Sequence, residues 1–248
     1  RHNDLTSIEL NAAVTECFGC CGRYAPTYVL VGNHDYINND QYVNRNHWMS
    51  NINLPNVTII DTPQCVDIGG VSVCCTPYIP TGQFRTALTT FCPEWNQARY
   101  VFAHQEIRGC RMSATTVSEH GDGWYPDDPI CISGHIHKQQ RVGTNVFYTG
   151  SILQHNFGEM EDKYIVAVDL DQPRCLNIEL NVPRRKTITC RGIDDVNAYA
   201  SWCHDPSLRD PMITYRFVIE DTVLALKQFK LTSLYRDLTR TFKVQCKV

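Results

Sequence analysis

An α/β architecture is expected for this chain of 248 residues, and three observations carry that expectation. Short β-branched or aromatic runs recur along most of its length, stretches of helical spacing separate them, and no internal repeat or low-complexity segment interrupts the alternation. Strands alternating with helices build sheets covered by helices. With 43% apolar and 20% charged residues the chain can bury a sizeable core. No apolar run approaches the ~18 residues of a membrane span, so no membrane partner is expected.

Taken in order, residues 6–18 carry helical spacing, with Thr6 or Ser7 able to cap the first turn. Strand-like runs then follow at 27–31 (TYVLV), 57–60 (VTII), 71–75 (VSVCC), 99–103 (RYVFA), 130–133 (ICIS), 145–149 (NVFYT) and 164–168 (YIVAV). His47 and Trp48 are expected on a partly buried helix. Residues 172–186 (QPRCLNIELNVPRRK) hold two prolines and a charge cluster and read as a connecting segment. There Arg184, Arg185 and Lys186 could be solvated or could contact phosphates. Beyond it, a strand at 187–191, a helix near 194–202, a strand at 213–221, a helix near 222–228 and a last run near 241–246 make a small α/β unit. The boundary is expected near residue 180, giving domains 1–180 and 181–248.

The formal charge is −3, but it is uneven. Residues 1–173 carry 10 Lys/Arg against 18 Asp/Glu, and residues 174–248 carry 13 against 8. An acidic body with a basic tail suits metal-binding groups in one part and a polyanion in the other; ordinary surface variation would give the same totals.

Thirteen cysteines are many, yet the count is odd and the chain is long for a disulfide-stapled scaffold. Mostly reduced, buried thiols are expected, together with a protein located in the cytoplasm, or wherever DNA is replicated, and not secreted. Cys17, Cys20 and Cys21 could begin a zinc or redox site, but no second pair at zinc-ribbon spacing follows. Cys74 and Cys75 are adjacent, which suits neither a shared ligand set nor a mutual disulfide. Asn56-Val57-Thr58 matches a glycosylation sequon and is read as an ordinary turn.

Chemistry is concentrated at three strand exits. TYVLV leads into Gly32-Asn33-His34-Asp35, RYVFA into His104-Gln105, and ICIS into Gly134-His135-Ile136-His137. Ligands of open α/β sheets bind beyond the carboxyl ends of strands. A single histidine there is commonly structural, whereas four of the nine in the chain, joined by an amide and a carboxylate, suit a borderline divalent metal such as manganese, iron or zinc. Gly32 and Gly134 are expected to free the backbone for sharp turns. His120 and His155 lie near these motifs and are read as loop or packing residues. His2 could line the site.

These three motifs, in this order, resemble the last three metal-site motifs of the calcineurin-like metallophosphoesterases. Tyr148-Thr149-Gly150-Ser151, continuing to Phe157-Gly158-Glu159, is similar to the segment that follows the last histidine pair in SbcD-type DNA repair nucleases, which usually have Pro where Thr149 stands. The stretches VGNHDYINNDQYVNRNHWM, FAHQEIRGC and SGHIHKQQ look most like phage and large-virus members. The resemblance implies a two-sheet metallophosphoesterase sandwich flanked by helices, with a small C-terminal α/β capping domain that shapes DNA access. It also implies two divalent metal ions, manganese first and magnesium, iron or zinc as alternatives. Asn33, His104 and His135 would ligate one ion and His137 the other. His34 would face the phosphate as a catalytic group, with Asp35 orienting the loop or that imidazole. The family's first two motifs, Asp-x-His and Gly-Asp-x-x-Asp/His, do not occur here; the chain is expected to begin just after the second, which would impair it as it stands.

The activity implied is exonucleolytic and endonucleolytic cleavage of DNA in repair or recombination, with an SbcC-like coiled-coil ATPase as partner and a homodimer as a further possibility. A metallophosphoesterase for a nucleotide, cyclic nucleotide or phosphoprotein, and an inactive scaffold subunit, are the other readings, since the motifs specify phosphoryl chemistry and not the leaving group.

Overall fold

A computed structural model describes all residues except 1–5, 39, 114 and 160. His2 therefore lies outside the described residues. By contact density the chain forms two units. One comprises the residues up to Ser151 with Val166–Leu176, and the other Ile152–Ile165 with Asn177–Val248. The architecture is mixed α/β, and no described helix is long and apolar enough to cross a membrane.

In the first unit, α1 (Ser7–Asn11) opens on a capping box. The Thr6 hydroxyl accepts the Glu9 N–H, and the Glu9 carboxylate accepts the Thr6 N–H. The helical path continues through a π-helical stretch (Ala12–Phe18) into α2 (Gly19–Tyr24), six residues beyond the expected end. Gly22 makes this passage possible: a Cβ there would lie 2.7 Å from the Pro55 carbonyl oxygen, so only a glycine lets the helix approach that backbone.

Strands β1 (Thr27–Leu30) and β2 (Val57–Ile60) pair in parallel. A six-stranded sheet follows, built from β3 (Gln64–Ile68), β4 (Val71–Cys75), β5 (Tyr100–Ala103), β6 (Ile130–Ser133), β7 (Gln140–Val142) and β8 (Val146–Tyr148). Its order is β3-β4-β5-β6-β8-β7, with parallel pairing from β4 through β8 and antiparallel edges. One face packs Cys74, Val101, Cys131 and Val146 against Phe84, Ala87 and Leu88 of α3 (Phe84–Phe91). The other packs Val73, Tyr100, Ile132 and Phe147 with Tyr28, Leu30 and Ile60, and with Val166 and Val168. Alternate residues of each central strand thus supply two cores, as period-2 side-chain placement requires.

Cys65 and Cys74 face each other across the β3–β4 ladder and form a disulfide, while eleven cysteines are free thiols. Cys17, Cys20 and Cys21 are exposed. Among the described residues, the trio of thiol, imidazole or carboxylate donors drawn within 4.8 Å of one another is Cys65, Cys74 and Cys92. The disulfide leaves that trio a single free thiol, so it is not a metal centre.

Two expectations are corrected here. His47 and Trp48 sit in a turn and not on a helix, because His47 bridges to Tyr36 and breaks the helical path. The segment 172–186 is not a connection but strand: β9 (Tyr164–Asp169) turns into β10 (Arg174–Glu179), and β11 starts at Arg184.

In the second unit, β11 (Arg184–Arg191), β12 (Ile213–Glu220) and β13 (Lys243–Lys247) form an all-parallel three-stranded sheet. Tyr215, Phe217 and Ile219 of β12 pack on α4 (Ile193–Asn197), α5 (Val223–Phe229) and α6 (Ser233–Thr241), burying Val196, Leu226, Phe229 and Leu238. Thr222 and Thr232 cap α5 and α6 through their hydroxyls.

Candidate functional site

Ala103 and Ser133 are register partners on adjacent parallel strands, so His104 and His135 leave the sheet side by side at one carboxyl edge. Their ring centroids lie 5.1 Å apart at 76°. From the end of β1 the chain runs through Val31 and Gly32 to Asn33, whose Oδ1 stands 3.2 Å from His104 Nε2. His34 and His137 come near enough for their charges to act on both His104 and His135. Asn33 is buried, His104 and His135 are half-buried, and His34 and His137 are exposed.

Burial, and then the imidazoles of His135, His34 and His137, push the His104 pKa down to about 3. His135 is also lowered, by burial first, with Glu106 opposing and His34 and His137 adding to the effect. Both rings are therefore neutral near pH 7, which is the form that offers a lone pair to a metal. Two neutral imidazoles beside a buried amide oxygen fit a divalent cation of the borderline class.

Asp35 turns back into its own loop. Its Oδ2 accepts the Gly32 N–H at 2.7 Å and its Oδ1 the Trp48 indole N–H at 2.7 Å. It thereby ties the turn that carries Asn33 and His34.

The two motif glycines act differently from the expectation. Neither has a positive φ. What each provides is room: a Cβ on Gly32 would stand 3.1 Å from His104 Nε2, and one on Gly134 would stand 3.1 Å from His104 Nδ1. The ring is clasped between two stretches of bare backbone. The left-handed residue is His135 itself, with φ 71° and a hydrogen bond from the Ile136 N–H to the Gly134 carbonyl across it. A non-glycine residue held there stores on the order of 1–3 kcal/mol, a cost that clusters at functional sites.

Behind the histidines stands a buried polar hub. The Gln105 amide donates to the Ile79 carbonyl and to Asp122 Oδ2, both at 2.8 Å, while its Oε1 accepts the Ile79 N–H. Asp122 Oδ1 accepts the N–H groups of Gly82 and Phe84. The Tyr148 hydroxyl donates to the Gln105 carbonyl and accepts from the Ile107 N–H. Farther along, the Ser151 N–H donates to the His137 carbonyl, so the Tyr148–Ser151 segment props both histidine loops. Tyr78 stacks on His135, 6.0 Å between ring centroids.

Trp48, Tyr78, Gln105 and Asp122 escaped the sequence reading as parts of the site. Gln105 alone had a signal, its place next to His104 at a strand exit. His120 and His155 are exposed in loops, and His47 is buried against Asp61 and Tyr36.

Comparison with known proteins gives the chain a class: it belongs to a family of viral phosphoesterases. It is 34% identical over 237 residues to phosphoesterase 244L of Invertebrate iridescent virus 6, covering 92% of this chain and 81% of that protein. With phosphoesterase 078R of Invertebrate iridescent virus 3 it shares 35% over 241 residues, covering 96% of this chain and 68% of that protein. No family model matches the sequence.

Proposed function

We propose that the protein is a metal-dependent DNA nuclease of the SbcD type, built on a metallophosphoesterase sandwich with a capping domain from about residue 180. The observation that carries this reading is the convergence of Asn33, His104 and His135, with His34 and His137 close by, at one sheet edge. The phosphoesterase names of the relatives support the reaction type, and the excess of basic residues after residue 173 supports a polyanionic substrate.

In this reading Asn33, His104 and His135 hold one cation and His137 a second, with further ligands from residues ahead of Asn33. Two divalent ions, manganese first, would supply a nucleophile at neutral pH and neutralise charge on the phosphate. His34, exposed beside buried Asn33, donates a proton or hydrogen bond to the leaving oxygen. Asp35 positions that imidazole by fastening the turn to Gly32 and Trp48. An SbcC-like ATPase partner, a possible homodimer and a cytoplasmic location belong to the same proposal.

The test is cleavage of single- and double-stranded DNA with manganese or magnesium, beside a small phosphodiester, using the reading frame with any coding sequence that precedes it. Metal-dependent DNA cleavage is expected. Hydrolysis of the small diester without DNA cleavage would overturn the nuclease reading in favour of another phosphoester substrate.

A further inference from the structure

We propose that a cleft in the C-terminal unit binds the phosphate of a nucleotide-sized ligand. This goes beyond the phosphoesterase reading and does not depend on it. With Tyr215, Phe217 and Ile219 turned into the helical core, the alternate residues of the three-stranded sheet form its other face. On that face the register sets Thr187, Arg216 and Lys243 in one row. Phe157 lies against this row, its ring centroid 4.8 Å from the Arg216 guanidinium carbon and 5.9 Å from Lys243 Nζ. Gln154 fastens the same segment to β11: its carbonyl accepts Arg185 Nη1 at 2.7 Å and its Oε1 accepts the Arg185 backbone N–H. A cleft of about 600 Å³ is lined by Gln154, Phe157, Arg185, Thr187 and Arg216, within the range of small-ligand sites; Lys243 is outside that lining and reaches it only through the Phe157 ring.

Its charge is uncompensated. Arg184 is paired with Asp162 and Glu179, but among the described residues Arg185, Arg216 and Lys243 meet no carboxylate. Arg216 Nη2 donates to Thr187 Oγ1 at 2.9 Å, and its Nε is buried with no acceptor from the protein. A planar guanidinium that keeps one donor without a protein acceptor, with an ammonium near the same ring, matches the oxygens of a phosphate. Because both cations converge on one ring instead of following a strand at regular spacing, a single phosphate group suits the cleft better than a continuous backbone.

Isothermal titration of the full chain in EDTA, which keeps metals off the histidines and separates this test from the phosphoesterase reading, uses inorganic phosphate, a nucleoside 5′-monophosphate, and oligonucleotides with and without a 5′-phosphate. Saturable binding of the mononucleotide is expected. Arg216→Gln and the exposed Lys243→Gln should each weaken it roughly tenfold, the loss of one charge-assisted contact, and Lys230→Gln should leave it unchanged. Tighter binding of the 5′-phosphorylated oligonucleotide than of its unphosphorylated form would support the same site with a strand end as the source. Equal affinity in both variants, no saturable binding, or oligonucleotide binding indifferent to the 5′-phosphate would overturn the proposal.

Discussion

Replacing Gln105 with Leu keeps the volume of a fully buried side chain and removes its amide. Three groups then lose a partner in a dry place: the Ile79 N–H, the Ile79 carbonyl and Asp122 Oδ2. Stripping a buried polar group of its hydrogen bond costs about 1–3 kcal/mol. The 3.3 Å bond to the Ile79 N–H belongs at the low end, and Asp122 retains Gly82 and Phe84 on its other oxygen. A loss of about 3–5 kcal/mol follows, which for a unit of this size lowers the melting temperature by roughly 10 °C. Because two units need not melt together, the assay is fluorescence in a Trp202→Phe background, where Trp48, Trp95 and Trp124 report on the N-terminal unit alone. A fall of less than about 2 °C would refute the hub as a source of stability.

Four further outcomes are expected. In the reading frame with any coding sequence that precedes it, His34→Ala should lower turnover by roughly 10²–10⁴ with metal content unchanged; loss of metal by elemental analysis would make His34 a ligand. Gly134→Ala should force His104 aside, costing about 1–3 kcal/mol in thermal unfolding and weakening manganese binding in a calorimetric titration. Since His104 takes its proton near pH 6.5 when unfolded but at about 3 when folded, the unfolded chain binds more protons between these values. The metal-free protein should therefore lose stability as pH falls from about 6.5 toward 3, and urea midpoints of His104→Asn should fall less. Trp48→Phe should release Asp35 and cost about 1.5–3 kcal/mol, measurable in the same melts, with slower phosphodiester hydrolysis.

Strands rich in β-branched and apolar residues were legible from that composition: VTII, VSVCC and ICIS coincide with β2, β4 and β6. The edge strand β3 (QCVDI) was missed because only Val66 and Ile68 turn inward, although the Gly69-Gly70 pair after it marked a hairpin. Helix α3 hid behind its threonines, with Phe84, Ala87 and Leu88 its only buried residues. Helix α6 went unread, with Leu238 its only fully buried residue. At the site, histidines at strand exits announced themselves by residue type. The work of Gly32 and Gly134 could not be read, since close approach of backbone to the His104 ring is a tertiary fact. Tyr78 and Asp122 reach the site from loops whose local sequence carries no periodic signal.

The polypeptide passes between its two units three times, after Ser151, after Ile165 and after Leu176. A protease that nicks one of these passages leaves the two units still connected by the other two. Cutting the chain near residue 180 would likewise strand Ile152–Ile165, whose Gln154 and Phe157 belong with β11, β12 and β13. The two units thus differ from beads on a thread: each is threaded through the other's sequence. Dissecting their roles calls for point substitutions or circular permutation, and a deletion of the tail reports on both at once.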